Sequence, residues 1–267
     1  MNAHRHWAHT GIVVLIYAFL LAPLVVVILF SFSAKSFFTF PPTGFSLRWY
    51  TAAWELGTFT APMIRSIVLA LSATFCSTVL AVPAVLALRR LSSSKVAKVV
   101  EFYLLTPLVV PSLIIGIALL YYFLKLDLID TFAALLTAHT LLVFPFMLRA
   151  ILVSAQDIKK HLEEASEILG AGPWRTFRSV VLPGLLPGIV SGAIFAFIVS
   201  FDQFTVSLFV TQSEQTTLPV ALYKYVYDVN DPVAAAVSSA LVIFGLFLAV
   251  CLQKTGLLDH AGGRGAN

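Results

Sequence analysis

Six apolar runs, at about 11–32, 63–88, 99–124, 131–153, 185–210 and 232–252, constrain this chain more than any other feature. Each approaches or exceeds the roughly twenty residues that cross a bilayer as a helix. Lipid offers the backbone no hydrogen-bond partners, so runs of this length fold as helices whose amides bond internally. A mean hydropathy of +0.94 excludes an ordinary soluble domain. The expected fold class is therefore all-α, a polytopic membrane protein with six transmembrane helices in a single domain over 1–267. Pro107 and Pro111 interrupt the third run. The first is too long for a signal-peptide core and lacks a clean small-residue cleavage site, so it reads as an uncleaved helix. Between the first two runs lies an aromatic and proline-rich loop with Phe37, Phe38, Phe40, Pro41, Pro42, Trp49, Tyr50 and Trp54, suited to the membrane surface. Ser46 is placed to cap a short helix beginning at Leu47. Cys76 and Cys251 sit in apolar runs without a nearby Cys, His or acidic cluster, and read as packed thiols.

One loop, 154–184, breaks the apolar pattern. It concentrates Glu163, Glu164, Glu167, Arg175 and Arg178 within sixteen residues, so it lies in water. Leu162, Ala165 and Leu169 recur at i, i+3 and i+7, giving a first helix one apolar stripe with the glutamates mostly opposite. Gly170 follows the last periodic residue and suits a left-handed helix end, and Pro173 suits the first turn of the next helix. Trp174, Phe177 and Val181 repeat the apolar spacing. The spacing predicts a helix-turn-helix knuckle, its stripes held against the membrane domain and its charged tip in solvent.

Glu164-Ala165-Ser166, three residues, Gly170, nine residues, Val180, one residue and Leu182-Pro183 resemble the signature loop of binding-protein-dependent ABC importer permeases. That loop reads Glu-Ala-Ala, three residues, Gly, nine residues, Ile, one residue, Leu-Pro; Ser166 and Val180 are the departures. The resemblance implies the type I importer permease fold and a cytoplasmic coupling helix that docks on an ATPase subunit. It implies that Glu163, Glu164, Ala165, Ser166, Gly170, Leu182 and Pro183 serve ATPase coupling. It also implies two ATPase subunits, a second related permease and an extracytoplasmic solute-binding protein as partners, with ATP and Mg bound by the ATPase and no cofactor on this chain. The expected location is the bacterial inner membrane.

Placement of the basic residues supports that orientation. With both termini cytoplasmic, twelve of the 17 lysines and arginines fall inside: Arg5, Arg89, Arg90, Lys95, Lys98, Arg149, Lys159, Lys160, Arg175, Arg178, Lys254 and Arg264. The other five, Lys35, Arg48, Arg65, Lys125 and Lys224, fall outside. This positive-inside bias puts the knuckle in the cytoplasm.

The sequence carries no phosphate-binding loop, no HExxH, no supported Ser-His-Asp set and no paired carboxylates within one span. No catalytic or metal-binding residue is assigned, no nucleic-acid partner is expected, and the chain reads as a non-enzyme that converts ATPase closure into alternating access. Ser200-Phe201-Asp202-Gln203, Ser207-Leu208-Phe209-Val210-Thr211, Thr217-Leu218-Pro219, Tyr223 and the early Ser46-Leu47-Arg48-Trp49-Tyr50 look like segments of the spermidine/putrescine permease group. That group often has two acidic residues where this chain has Asp202-Gln203, a departure that weakens a polycation reading. Asp202 inside a span costs about 2.5–3.5 kcal/mol on insertion scales, so it faces either a watery pathway, with Gln203 and Tyr223, or a packing partner. His139 in the fourth run reads as a hydrogen-bonded core histidine rather than a ligand. Opine, aminophosphonate, thiamine and ferric iron are the competing cargoes. A secondary transporter would need embedded coupling groups or an inverted repeat, and an anchoring protein would not need the glycine-centred knuckle.

Overall fold

The computed structural model describes residues 2–36, 44–91, 94–229 and 231–254, with side chains from 10 to 247 within those ranges. The expectations placed on Phe37, Phe38, Phe40, Pro41, Pro42, Arg264 and the side chains of Arg5, Cys251 and Lys254 lie outside the described residues. The described chain is almost entirely helical. In order come α1 (Asn2–Ser31), α2 (Arg48–Leu56), α3 (Thr60–Arg90), α4 (Lys95–Leu105), α5 (Ser112–Lys125) and α6 (Phe132–Gln156). They are followed by α7 (Lys160–Ile168), α8 (Pro173–Thr176), α9 (Leu182–Phe201), α10 (Thr205–Val210), α11 (Leu218–Asp228) and α12 (Pro232–Lys254).

Four of the described helical stretches are long and apolar enough to cross a membrane: Thr10–Ser31, Thr60–Arg90, Phe132–Gln156 and Pro173–Phe201. Two expected spans are broken. The third bends by 93° between Lys95–Leu108 and Ser112–Lys125. A single turn of tighter helix at Thr106–Leu108 and Pro111, just ahead of α5, fill the bend. Each proline removes an amide donor and disfavours helical geometry in the residue before it, so two of them four residues apart end one helix and start another. The fifth expected span, 185–210, stops at Phe201 and resumes at Thr205, so Asp202 caps the end of α9 instead of lying within a helix. On α12 the apolar described stretch is Pro232–Phe247.

The chain divides into two compact units. The first comprises the chain up to Ala61 and from Leu222 to Val250 of α12. Here α2 begins at Arg48, one residue later than expected; Leu47 occupies the capping position, and the Arg48 amide donates to Ser46 Oγ at 3.2 Å. Trp49 Nε1–H donates to the Ser33 carbonyl at 2.7 Å. The Tyr50 hydroxyl bridges Ser31 Oγ at 2.8 Å and Ser239 Oγ at 2.7 Å, tying α2 to both α1 and α12. The two aromatic residues of the Arg48-Trp49-Tyr50 segment are thus the pegs that seat α2.

The second unit, Pro62–Ala221, is organised around α6. Leu135, Ala138, Val143, Met147, Leu148 and Ile151 along α6 are all buried. Helix α9 lies against it, and small residues set the separation: a side chain at Gly188 would meet the Ala150 carbonyl at 2.6 Å and Ser154 Oγ at 2.7 Å. Lipid supplies no hydrophobic drive between helices, so close backbone approach of this kind is how they gain packing energy. The α6–α9 pair is therefore a tight hairpin with residues 157–181 at its turn. Cys76, half-buried, is a free thiol on α3.

Candidate functional site

At the turn of that hairpin the knuckle is built from local chemistry. Gly170 has φ +82°, its amide donates to the Glu167 carbonyl at 2.9 Å, and the Ala171 amide donates to the Ser166 carbonyl at 3.1 Å. This paired arrangement satisfies the last carbonyls of α7 and requires the left-handed conformation that glycine tolerates best. Pro173 then opens α8 at its first position. Ser166 Oγ lies 3.1 Å from Thr176 Oγ1, a brace between the two short helices.

Glu163 turns inward and pairs with Arg89 of α3 at 2.8 Å, and the same guanidinium donates to the Ile158 carbonyl at 3.3 Å. Glu164 is exposed, 3.8 Å from Lys160, and Glu167 and Ala165 are also exposed. Leu182 and Pro183 form the first turn of α9. The expectation that both apolar stripes are held against the membrane domain is corrected for the first stripe, where Leu162, Ala165 and Leu169 are all exposed, and for Trp174 of the second. Leu169 and Trp174 are 88 and 73% exposed, and neighbouring Ile168 is 85% exposed. Of the second stripe, Val181 is buried in the core and half-buried Phe177 packs against it, as expected. The periodic pattern reports that a face is apolar; it does not say whether the cover comes from this chain.

The far end of α9 is about 30 Å away, at 1.5 Å per residue over its 20 residues. Asp202 sits there, exposed, its amide bonded to the Ile198 carbonyl at 3.0 Å. Its carboxylate has no hydrogen bond or ion pair among the described residues, so the packing partner considered for it is not found there. Gln203 follows in the break between α9 and α10, half-buried. Tyr223 is half-exposed on α11, in the other unit.

Behind the break, buried His139 of α6 contacts Ser200 Oγ through Nδ1 at 2.8 Å and Ser207 Oγ through Nε2 at 2.9 Å. Sequence reading identified the histidine as a core residue but not its partners. The available signal was two serines inside apolar runs, since a buried hydroxyl needs a partner.

Asp130 lies just ahead of α6. Its carboxylate accepts from the backbone amides of Gln212, Ser213, Glu214 and Gln215 at 3.0–3.2 Å. Arg65 donates to the Thr216 carbonyl at 2.9 Å, and Ser66 Oγ accepts from the Leu218 amide at 2.8 Å, so the loop after α10 is fastened along its length. Burial raises the Asp130 pKa, but the four amides outweigh it and hold the carboxyl below its usual 3.8. A lowered folded value gives stability that is complete above the unfolded value and lost as pH falls through the folded one. Loop protection is therefore independent of pH from 5 to 8. Asp130→Ala at pH 7 should speed hydrogen exchange at residues 212–215 by about tenfold, for about 1–2 kcal/mol of lost bonding to these amides; unchanged exchange would refute the pinning.

A family model described as the binding-protein-dependent transport system inner membrane component matches residues 77–254, more than half of the chain. The chain belongs to this family. Among relatives of this permease, the spermidine/putrescine transport system permease protein PotC of Haemophilus influenzae is 26% identical over 93% of this chain and 96% of its own. The molybdenum transport system permease protein ModB of Mycobacterium bovis is 33% identical over 68% of this chain and 73% of its own. In fold, the permease is similar to a chain from the crystal structure of a bacterial ABC transporter involved in the import of the acidic polysaccharide alginate. The TM-score is 0.73 at 16% identity, covering 95% of this chain and 98% of that one. The match region takes in the knuckle, the His139 contacts and the Asp202 break.

Proposed function

We propose that this permease is half of the translocation pathway of an ATP-driven importer. Its partners are a second, related permease, two ATPase subunits that carry ATP and Mg, and the extracytoplasmic binding protein. In this reading six spans cross a bacterial inner membrane, the bent α4–α5 pair counting as one, and both termini are cytoplasmic. The knuckle is the coupling helix. The observation that carries this is the uncovered apolar tip formed by Ile168, Leu169 and Trp174 beside a glycine-fixed turn. A surface of that kind, rimmed by Glu164, Glu167 and Arg175, suits burial in a groove of another protein. Glu163 acts at one remove, anchoring the knuckle to α3 through Arg89.

The proposed cargo is a di- or polyamine such as putrescine or spermidine. PotC is similar along nearly the whole chain, and the open carboxylate of Asp202 at the helix break suits a cation. ModB makes a molybdenum species the second reading, one not among the competitors weighed from sequence. The deciding experiment is reconstitution with the ATPase, second permease and binding protein, followed by uptake of radiolabelled putrescine, spermidine and molybdate. ATP-dependent amine uptake is the expected result. Uptake of molybdate alone would replace the cargo, and failure of this chain to co-purify with an ATPase would reject the importer reading.

A further inference from the structure

The His139 contacts form an ordered chain that joins three helices. Ser207 Oγ donates its one proton to the Gln203 carbonyl at 2.7 Å, so it accepts from His139 Nε2–H at 2.9 Å. With Nε2 protonated, Nδ1 of the neutral ring accepts from Ser200 Oγ–H at 2.8 Å. The imidazole, 1% exposed, thus spans the break in both directions. Ser200 is the penultimate residue of α9, Ser207 lies in the first turn of α10, and Gln203 is inside the break. Phe204 and Thr205 complete the turn, and the Leu208 amide returns to the Phe204 carbonyl at 2.9 Å.

The opposite end of the same hairpin is the knuckle. Between the two ends, α6 and α9 are locked by close approach at Gly188 and at Gly192, where an added side chain would meet Met147 Sδ at 2.8 Å. A displacement of the knuckle therefore moves α6 and α9 together. It reaches Asp202 through the end of α9, and it reaches α10 through the chain of the break and through what fastens α10 to the hairpin, His139 and the apolar contacts of Val206 and Val210. We infer that His139 is a positioning residue: it holds α10 and the Gln203 carbonyl to the α6–α9 hairpin, so that the far side of the break keeps its place beside Asp202 and follows knuckle movement. This rests on the reading of the knuckle as the coupling element and the break as part of the pathway.

A histidine that only fills the core would, when replaced, lower stability, assembly and every activity in proportion. A positioning role separates two quantities, because the ATPase contact lies about 30 Å from the ring by the length of α9. In the complete reconstituted importer, His139→Leu should leave binding-protein-stimulated ATP hydrolysis within about twofold of the unsubstituted complex. Solute uptake per ATP hydrolysed should fall about tenfold or more. His139→Gln supplies an amide oxygen for Ser200 and an N–H for Ser207, and should restore that ratio to within about threefold. An unchanged ratio in His139→Leu would overturn the inference, as would a Gln variant no better than the Leu variant. If His139→Leu does not assemble, Ser207→Ala carries the test: it removes the link to Gln203 with little change in volume, and a ratio equal to that of the unsubstituted complex overturns the inference. The unsubstituted complex is measured first. Absence of stimulated uptake there counts against the proposed function, not against the role of His139.

Discussion

Gly170→Val should reduce both binding-protein-stimulated ATP hydrolysis and solute uptake by about five- to thirtyfold while the chain still inserts in the membrane. The residue holds φ +82°, and a side chain added there would meet nothing within 4 Å. The penalty is therefore conformational and not a clash: a β-branched residue in the left-handed region costs about 1–2 kcal/mol. A cost of that size shifts a two-state population by roughly five- to thirtyfold, away from the turn that directs Ile168, Leu169 and Trp174 outward. Gly172 provides the control. It also has open space around it but holds φ −68°, so Gly172→Ala should remain close to the unsubstituted protein in both assays. Equal behaviour of the two variants, measured as stimulated ATPase activity in proteoliposomes, would separate the left-handed turn from coupling. Ser166→Ala, which removes the brace to Thr176 and restores the residue type of the resembling loop, bears on rigidity of the same turn.

Asp202→Asn should lower amine uptake about tenfold with the complex intact and with the binding protein's affinity for its ligand unchanged. The substitution keeps the shape and removes the charge. A carboxylate at the last turn of a helix opposes the helix dipole by about 0.3–1 kcal/mol, so the native residue does not stabilise α9 by its charge. It has no pairing among the described residues to lose either. Folding is therefore expected to be neutral or slightly improved, which makes any loss of uptake attributable to the pathway. The electrostatic reason is the low dielectric of a membrane channel: a carboxylate there reduces the cost of admitting an ammonium group, an effect far larger than in water. Uptake by Asp202→Asn equal to that of the unsubstituted importer, with saturating binding protein, would remove the main local support for a cationic cargo.

Much of the architecture is legible in the residues themselves because its causes are local. A run of apolar residues at bilayer length makes a helix whatever surrounds it, and Thr10–Ser31, Thr60–Arg90 and Phe132–Gln156 fall within a few residues of the runs that announce them. Gly170 and Pro173 specify the knuckle turn through backbone geometry alone, and Pro107 with Pro111 announces the bend, though not its angle of 93°. The break at Asp202 had no comparable marker, since neither proline nor glycine occurs from Phe201 to Thr205.

What only the tertiary structure decided is which groups meet. Glu163 finds Arg89 across 74 residues, His139 finds Ser200 and Ser207 across 61 and 68, and Asp130 gathers amides 82 to 85 residues away. Hydropathy cannot supply these pairs, because lipid and protein interior are about equally apolar and a residue's affinity for one does not distinguish it from the other. The same physics explains the exposed face of α7. Its period records an apolar stripe, but the stripe is covered only if the protein that covers it is another chain.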